Sequence, residues 1–113
     1  MKLNIYGKDE NGKKTIIKTY EADTYELMFG TCEDLAAAVD LDSLKTGTDT
    51  EIIAMTGKLI ATSIHTVRDL LKDVFEGLTD DELRLVPVTE IVQALVAIIT
   101  HTIGLVSASS TKN

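Results

Sequence analysis

Tryptophan is absent from this 113-residue chain, aromatic residues make up only 4%, and there is one proline and one cysteine. Each shortage excludes something. With so few rings, a core has to be packed from aliphatic side chains, which the 44% hydrophobic content can supply. The lone Cys32 rules out an intrachain disulfide and any zinc site built on several thiolates, and it fits a reducing compartment. Basic residues are also scarce, 11 against 18 acidic ones, so the formal net charge is −7. Such a surface repels phosphate, and no basic stripe with interleaved aromatics marks a nucleic-acid module. The same acidity argues against an anionic membrane surface. The most apolar stretch, Ile91 to Val106, contains Gln93, Thr100, His101 and Thr102 and is shorter than the ~20 residues that span a bilayer. The N-terminal residues Met1 to Asp9 lack the apolar segment of a signal peptide, so no export is expected and a cytoplasmic location follows.

What is present reads as α+β, mainly α-helical, in a single domain spanning 1–113. Leu3 and Ile5 alternate with polar residues and a β-branched run returns at Thr15-Ile16-Ile17, predicting a hairpin over about 2–7 and 13–21. Asn11-Gly12 suits a two-residue type I′ loop, which sets Leu3 opposite Tyr20, Ile5 opposite Lys18, Tyr6 opposite Ile17 and Glu10 against Lys13. Leu3, Ile5, Ile16 and Tyr20 then share the core face.

Four to five helices are expected around one aliphatic core, in a helical part covering 24–105. Leu27, Met28, Leu35, Val39 and Leu44 have helical spacing, but Gly30 and Thr31 interrupt it, and Thr31 is a fair N-cap, so the region reads as one helix or two. Lys45-Thr46-Gly47-Thr48 reads as a loop. Thr48-Asp49-Thr50-Glu51 has capping-box spacing and opens one long helix, with Ile53, Ile60, Val67 and Val74 recurring every seven residues beside Ile52, Leu59, Ile64, Leu70 and Leu71. Gly77 ends it and lets Leu78 fold back. Thr79-Asp80-Asp81-Glu82 is a second capping box for a short helix to about Leu85, and Pro87 separates that from a last helix starting near Val88. Gly104 is expected to break this helix, leaving 107–113 as a polar frayed tail.

No constellation of catalytic or metal-binding residues stands out. His65 and His101 lie on different expected helices, and with Glu51, Asp69 and Glu90 as conceivable co-ligands they show no spacing that aims two ligands at one metal. Cys32 precedes Glu33 and Asp34, which raise a thiol pKa, and reads as structural. The carboxylates of Asp80-Asp81-Glu82 point in different directions on a helix and are explained by capping. There is no Gly-rich phosphate loop after a strand and no nucleophile elbow. Neither an enzyme nor a cofactor is expected.

The unusual feature is the last helix, where Ile91, Val92, Leu95, Ile98, Ile99 and Ile103, with Val96, wrap most of the circumference. Such a helix either sits at the centre of the fold or presents one side to another subunit or a client. These six residues are the candidate partner-binding set, and a homo-oligomer is one form such a contact takes.

Two stretches, Tyr25-Glu26-Leu27-Met28-Phe29-Gly30-Thr31-Cys32-Glu33-Asp34-Leu35 after the hairpin and Leu70 to Leu83 before Val86 and a hydrophobic helix, resemble the tail assembly chaperones of long-tailed phages and prophages of Gram-positive bacteria. The resemblance covers most of the chain in layout. It implies a cytoplasmic protein that binds the tape measure protein, keeps its apolar helices soluble and helps recruit the major tail protein. Many members of that family are also made as a longer, frameshifted form. The rival reading is a small acidic regulator or adaptor that presents its acidic face to a basic protein, which predicts binding steeply weakened by salt.

Overall fold

An antiparallel hairpin, β1 (Lys2–Lys8) and β2 (Lys14–Glu21), opens the chain and is followed by five helices among the described residues, 1–40 and 47–110 of the computed structural model. The helices are α1 (Phe29–Ala38), α2 (Asp49–Thr62), α3 (Ile64–Val74), α4 (Asp80–Leu83) and α5 (Val88–Ser110). Leu44, Lys45, Thr46 and the 111–113 part of the expected tail lie outside the described residues.

The hairpin register follows the expectation from Lys2↔Glu21 through Ile5↔Lys18 and then slips by one, so that Tyr6 pairs with Ile16 and Lys8 with Lys14. The turn is the cause. The Asp9 carboxylate accepts from the Asn11 and Lys13 backbone N–H groups, the Gly12 N–H donates to the Asp9 carbonyl, and only Gly12 takes a positive φ, +78°. A type I′ loop needs two such residues, so an Asx-type turn with one extra residue replaces it. Glu10 and Lys13 are therefore not a cross-strand pair, and a bulge at Ile17 absorbs the offset. Ile16, opposite Tyr6, leaves the core face and is half exposed, while Leu3 and Ile5 are fully buried. The outer edge of β1 is closed as well. The Tyr6 N–H donates to the Leu85 carbonyl (3.0 Å) and the Asn4 N–H to Glu90 Oε1 (3.1 Å).

Gly30 and Thr31 do not interrupt α1. Met28 is its N-cap, and because that side chain cannot cap, the Asp73 carboxylate of α3 accepts the Met28 N–H at 3.0 Å. Thr31 instead lies buried inside the helix.

The long helix expected from Thr48 is two helices, broken at Ser63 (φ −139°, ψ 53°). Thr62 Oγ1 donates to the Lys58 carbonyl (2.7 Å), and short hydroxyl side chains at Thr62-Ser63 compete with the backbone ladder. The seven-residue stripe also divides. Val67 and Val74 are buried, but Ile53 is 52% exposed and Ile52, Thr56 and Leu59 face the core instead. At the start of α2, Thr48 Oγ1 accepts the Glu51 N–H.

Gly77 (φ +89°) turns the chain after α3, and Leu78, its N–H bonded to the Phe75 carbonyl, folds back into the core. The full capping box of α4 is present: Thr79 Oγ1 accepts the Glu82 N–H, and Glu82 accepts the Thr79 N–H. That carboxylate also takes the Tyr20 hydroxyl at 2.5 Å and the Lys18 ammonium at 3.1 Å, which ties α4 to β2.

The last helix, α5, packs against α2, α3 and β1. Ala94, Leu95, Ile98, Ile99 and Thr102 are buried, while Gln93, Ala97, Thr100 and His101 are exposed, so its solvent face is small or polar. Gly104 does not stop it. An interior Gly costs about 1 kcal/mol relative to Ala, too little to end a helix anchored on three elements. Residues 107–110 of the expected tail are accordingly helical. Two hydroxyls inside the core, Thr56 and Thr102, each donate back to the carbonyl four residues earlier at 2.8 Å and so remain satisfied.

Candidate functional site

Of the six residues expected to meet a partner, Leu95, Ile98 and Ile99 are wholly buried in the chain's own core. Their aliphatic surface is spent on α2, α3 and β1, and only Ile91, Val92 and Ile103 stay half-buried. Of these three, Ile91 borders a more open apolar surface.

The break at Ser63, the short α4 and the Pro87 corner together leave a groove of about 260 Å³. Ile60, Ile64, Val67, Arg68 and Leu71 form one wall, Asp80, Leu83 and Arg84 close one end, and Val86, Val88 and Ile91 form the other wall. Within these walls Val67, Leu71 and Val86 are buried. Ile64 (44% exposed) and Val88 (69%) stand at the lips. Leu85, just after α4, and Ile53 on α2 add exposed aliphatic surface.

Beyond Arg84 a second cavity of about 340 Å³ is bounded by Tyr6, Gly7, Lys8, Lys14, Leu85, Val86 and Pro87. It is basic: Lys14 Nζ stands 4.7 Å from the Tyr6 ring centroid, and the hairpin register puts Lys8 directly opposite Lys14. No spacing rule in the sequence joins Lys8, Lys14, Arg68 and Arg84. They come from a hairpin, α3 and the α4 end, and only the tertiary fold brings them to adjoining hollows.

Cys32 and His101 line a third cavity of about 380 Å³ with Tyr25, Glu26, Leu27 and Thr102. The Tyr25 and His101 rings meet at 5.1 Å and 59°. Burial first, and the Asp73 carboxylate second, push the Cys32 thiol up, and burial does the same to the Tyr25 phenol, so both stay protonated near neutrality. This arrangement supplies a largely apolar lining and no thiolate. His65 lies apart, exposed on α3. Among the described residues no three His, Cys, Asp or Glu side chains converge on a point, and no helix is long and apolar enough to cross a membrane.

Asp80, Asp81 and Glu82 occupy the first turn of α4, as capping residues do. Asp80 bonds Lys72 at 2.7 Å and is held below the usual carboxylate range by that contact. The Tyr20 hydroxyl, the Lys18 ammonium and Thr79 bring Glu82 down to about 2.

No family model, no curated protein and no solved structure matches this chain.

Proposed function

We propose that this chain is a protein-binding assembly factor of the tail assembly chaperone type, which holds apolar helical segments of a tape measure protein in the bacterial cytoplasm and assists the major tail protein. The observation that carries the reading is the open aliphatic groove between Ile64 and Val88. It is supported by the order of elements, a hairpin and then helices, on which the resemblance rests. Fully burying an aliphatic side chain contributes about 1.5–3 kcal/mol, so the exposed parts of Ile64 and Val88 on the groove, with those of Ile53 and Leu85 outside it, offer roughly 4 kcal/mol gross between them. That is enough for a transient hold once the client's own buried surface is added, and too little for a permanent complex.

Co-expression tests the proposal. The soluble fraction of the tape measure protein should rise several-fold when this chain is present, and an unchanged fraction would overturn the reading. The net charge of −7 keeps one rival in play, an acidic regulator of a basic protein. For that rival, moderate salt would dissolve the complex, whereas apolar contacts keep most of their strength.

A further inference from the structure

The cations of this chain are distributed unevenly. Nine of its eleven basic residues are described, and Lys2, Lys18 and Lys72 are in ion pairs with carboxylates. Of the other six, Lys8, Lys14, Arg68 and Arg84 line the apolar groove or the basic cavity, and Arg84 belongs to both. Among the described residues lining the groove the one carboxylate, Asp80, is bridged to Lys72 and lies in the field of Arg68 as well, and Glu90 stands beside Tyr6 at the basic cavity. Moreover Lys8 and Lys14 face each other across the hairpin, an arrangement that costs stability unless an anion lies between or beside them. On a protein of net charge −7, Arg84 at the end of the aliphatic trough and Lys8 and Lys14 in the cavity beyond it select for a carboxylate-bearing partner.

We infer that the groove and its basic end form one docking site for an amphipathic helix, whose aliphatic side chains lie between Ile64 and Val88 while its carboxylates meet Arg84, Lys8 and Lys14. This rests on the reading that the chain holds another polypeptide and names the chemistry of the segment held. An isolated small anion would leave the aliphatic lips unused. Glu90 is the one Asp or Glu of α5, and its carboxylate accepts the Asn4 N–H within its own chain, so the last helix, from this copy or another, does not supply the carboxylates. Planar Arg forks bind carboxylates bidentately, and Lys14, steadied over the Tyr6 ring, is held near the same spot.

The test uses the full chain and two labelled helical peptides of about four turns with the same leucine face, one flanked at one end by glutamates and one by lysines. Fluorescence anisotropy should show the glutamate peptide binding about tenfold more tightly, as two or three rim pairs allow. Arg84→Glu should reverse that preference, Ile64→Asp should remove binding of both peptides, and Phe29→Asp, on another exposed patch, should change neither. Far-UV circular dichroism checks that each variant is folded. Equal binding of the two peptides, an unchanged preference in Arg84→Glu, or sedimentation showing that the peptide merely displaces a second copy would each overturn the inference. If neither peptide binds but the chain still solubilises the tape measure protein, the docking site falls and the functional reading stands. If both fail, both fall.

Discussion

Replacing Ile98 by Ala and, separately, Ile64 by Ala sets the two roles of aliphatic residues in this chain against each other. Ile98 is 0% exposed on the buried stripe of α5, whereas Ile64 is 44% exposed at the groove lip on the first turn of α3. Truncating a fully buried Ile removes its transfer free energy and leaves a cavity, a loss of about 2–5 kcal/mol. At Ile64 roughly half the transfer term and no closed cavity are involved, so the loss is under about 1 kcal/mol. Both changes gain the same few tenths of a kcal/mol in helix propensity, so their difference isolates burial. Against a total of about 5–15 kcal/mol for a domain of this size, the first loss is a large fraction. Since the chain has no Trp, helicity by circular dichroism in a urea titration is the natural probe. With a slope near 1.5 kcal/mol per M, Ile98→Ala should lower the midpoint by about 2 M and Ile64→Ala by less than about 0.7 M. Equal shifts would refute the placement of α5 at the centre of the fold.

Glu82 offers a pH test, because its carboxyl titrates at about 2 rather than the ordinary 4.5. With the folded value below the unfolded one, its contribution is complete above about 4.5 and is lost as pH falls through about 2. Glu82→Gln should flatten the stability profile across that window in acid titrations followed by circular dichroism, and an unaltered slope would remove the Tyr20–Lys18–Glu82 link from the account. Two glycines with nothing near their missing Cβ should respond oppositely. Gly77→Ala, at φ +89°, should cost about 1 kcal/mol, while Gly57→Ala, inside α2, should gain about 0.5–1 kcal/mol, both read from thermal midpoints. The same sign for both would contradict the turn geometry.

Local signals in the sequence were legible where one residue type decides the backbone. Thr79 and Glu82 announce α4, Gly77 the turn before it and Pro87 the corner after it. Features that depend on competition were not legible. The Asp9 side chain outbid the Asn11-Gly12 loop for the turn and so moved Ile16 off the core face, and the pair Thr62-Ser63 broke a helix whose apolar spacing runs on through it. Gly104 was too weak a breaker for a helix held by tertiary packing. The all-round apolar character of 91–103 reflected three packing partners, which left α5 with a solvent face of Gln93, Ala97, Thr100 and His101. The groove itself gave no periodic signal, because its walls come from α2, α3, α4 and α5 and its basic end from the hairpin.

Amide chemical-shift mapping of the isotope-labelled chain, titrated with a helical segment of the tape measure protein, addresses the central claim most directly. The account requires the largest changes at Ile60, Ile64, Arg68, Arg84, Val88 and Ile91, with Lys8 and Lys14 following. Changes centred on Tyr25, Cys32 and His101, or along the exposed face of β2, would contradict it.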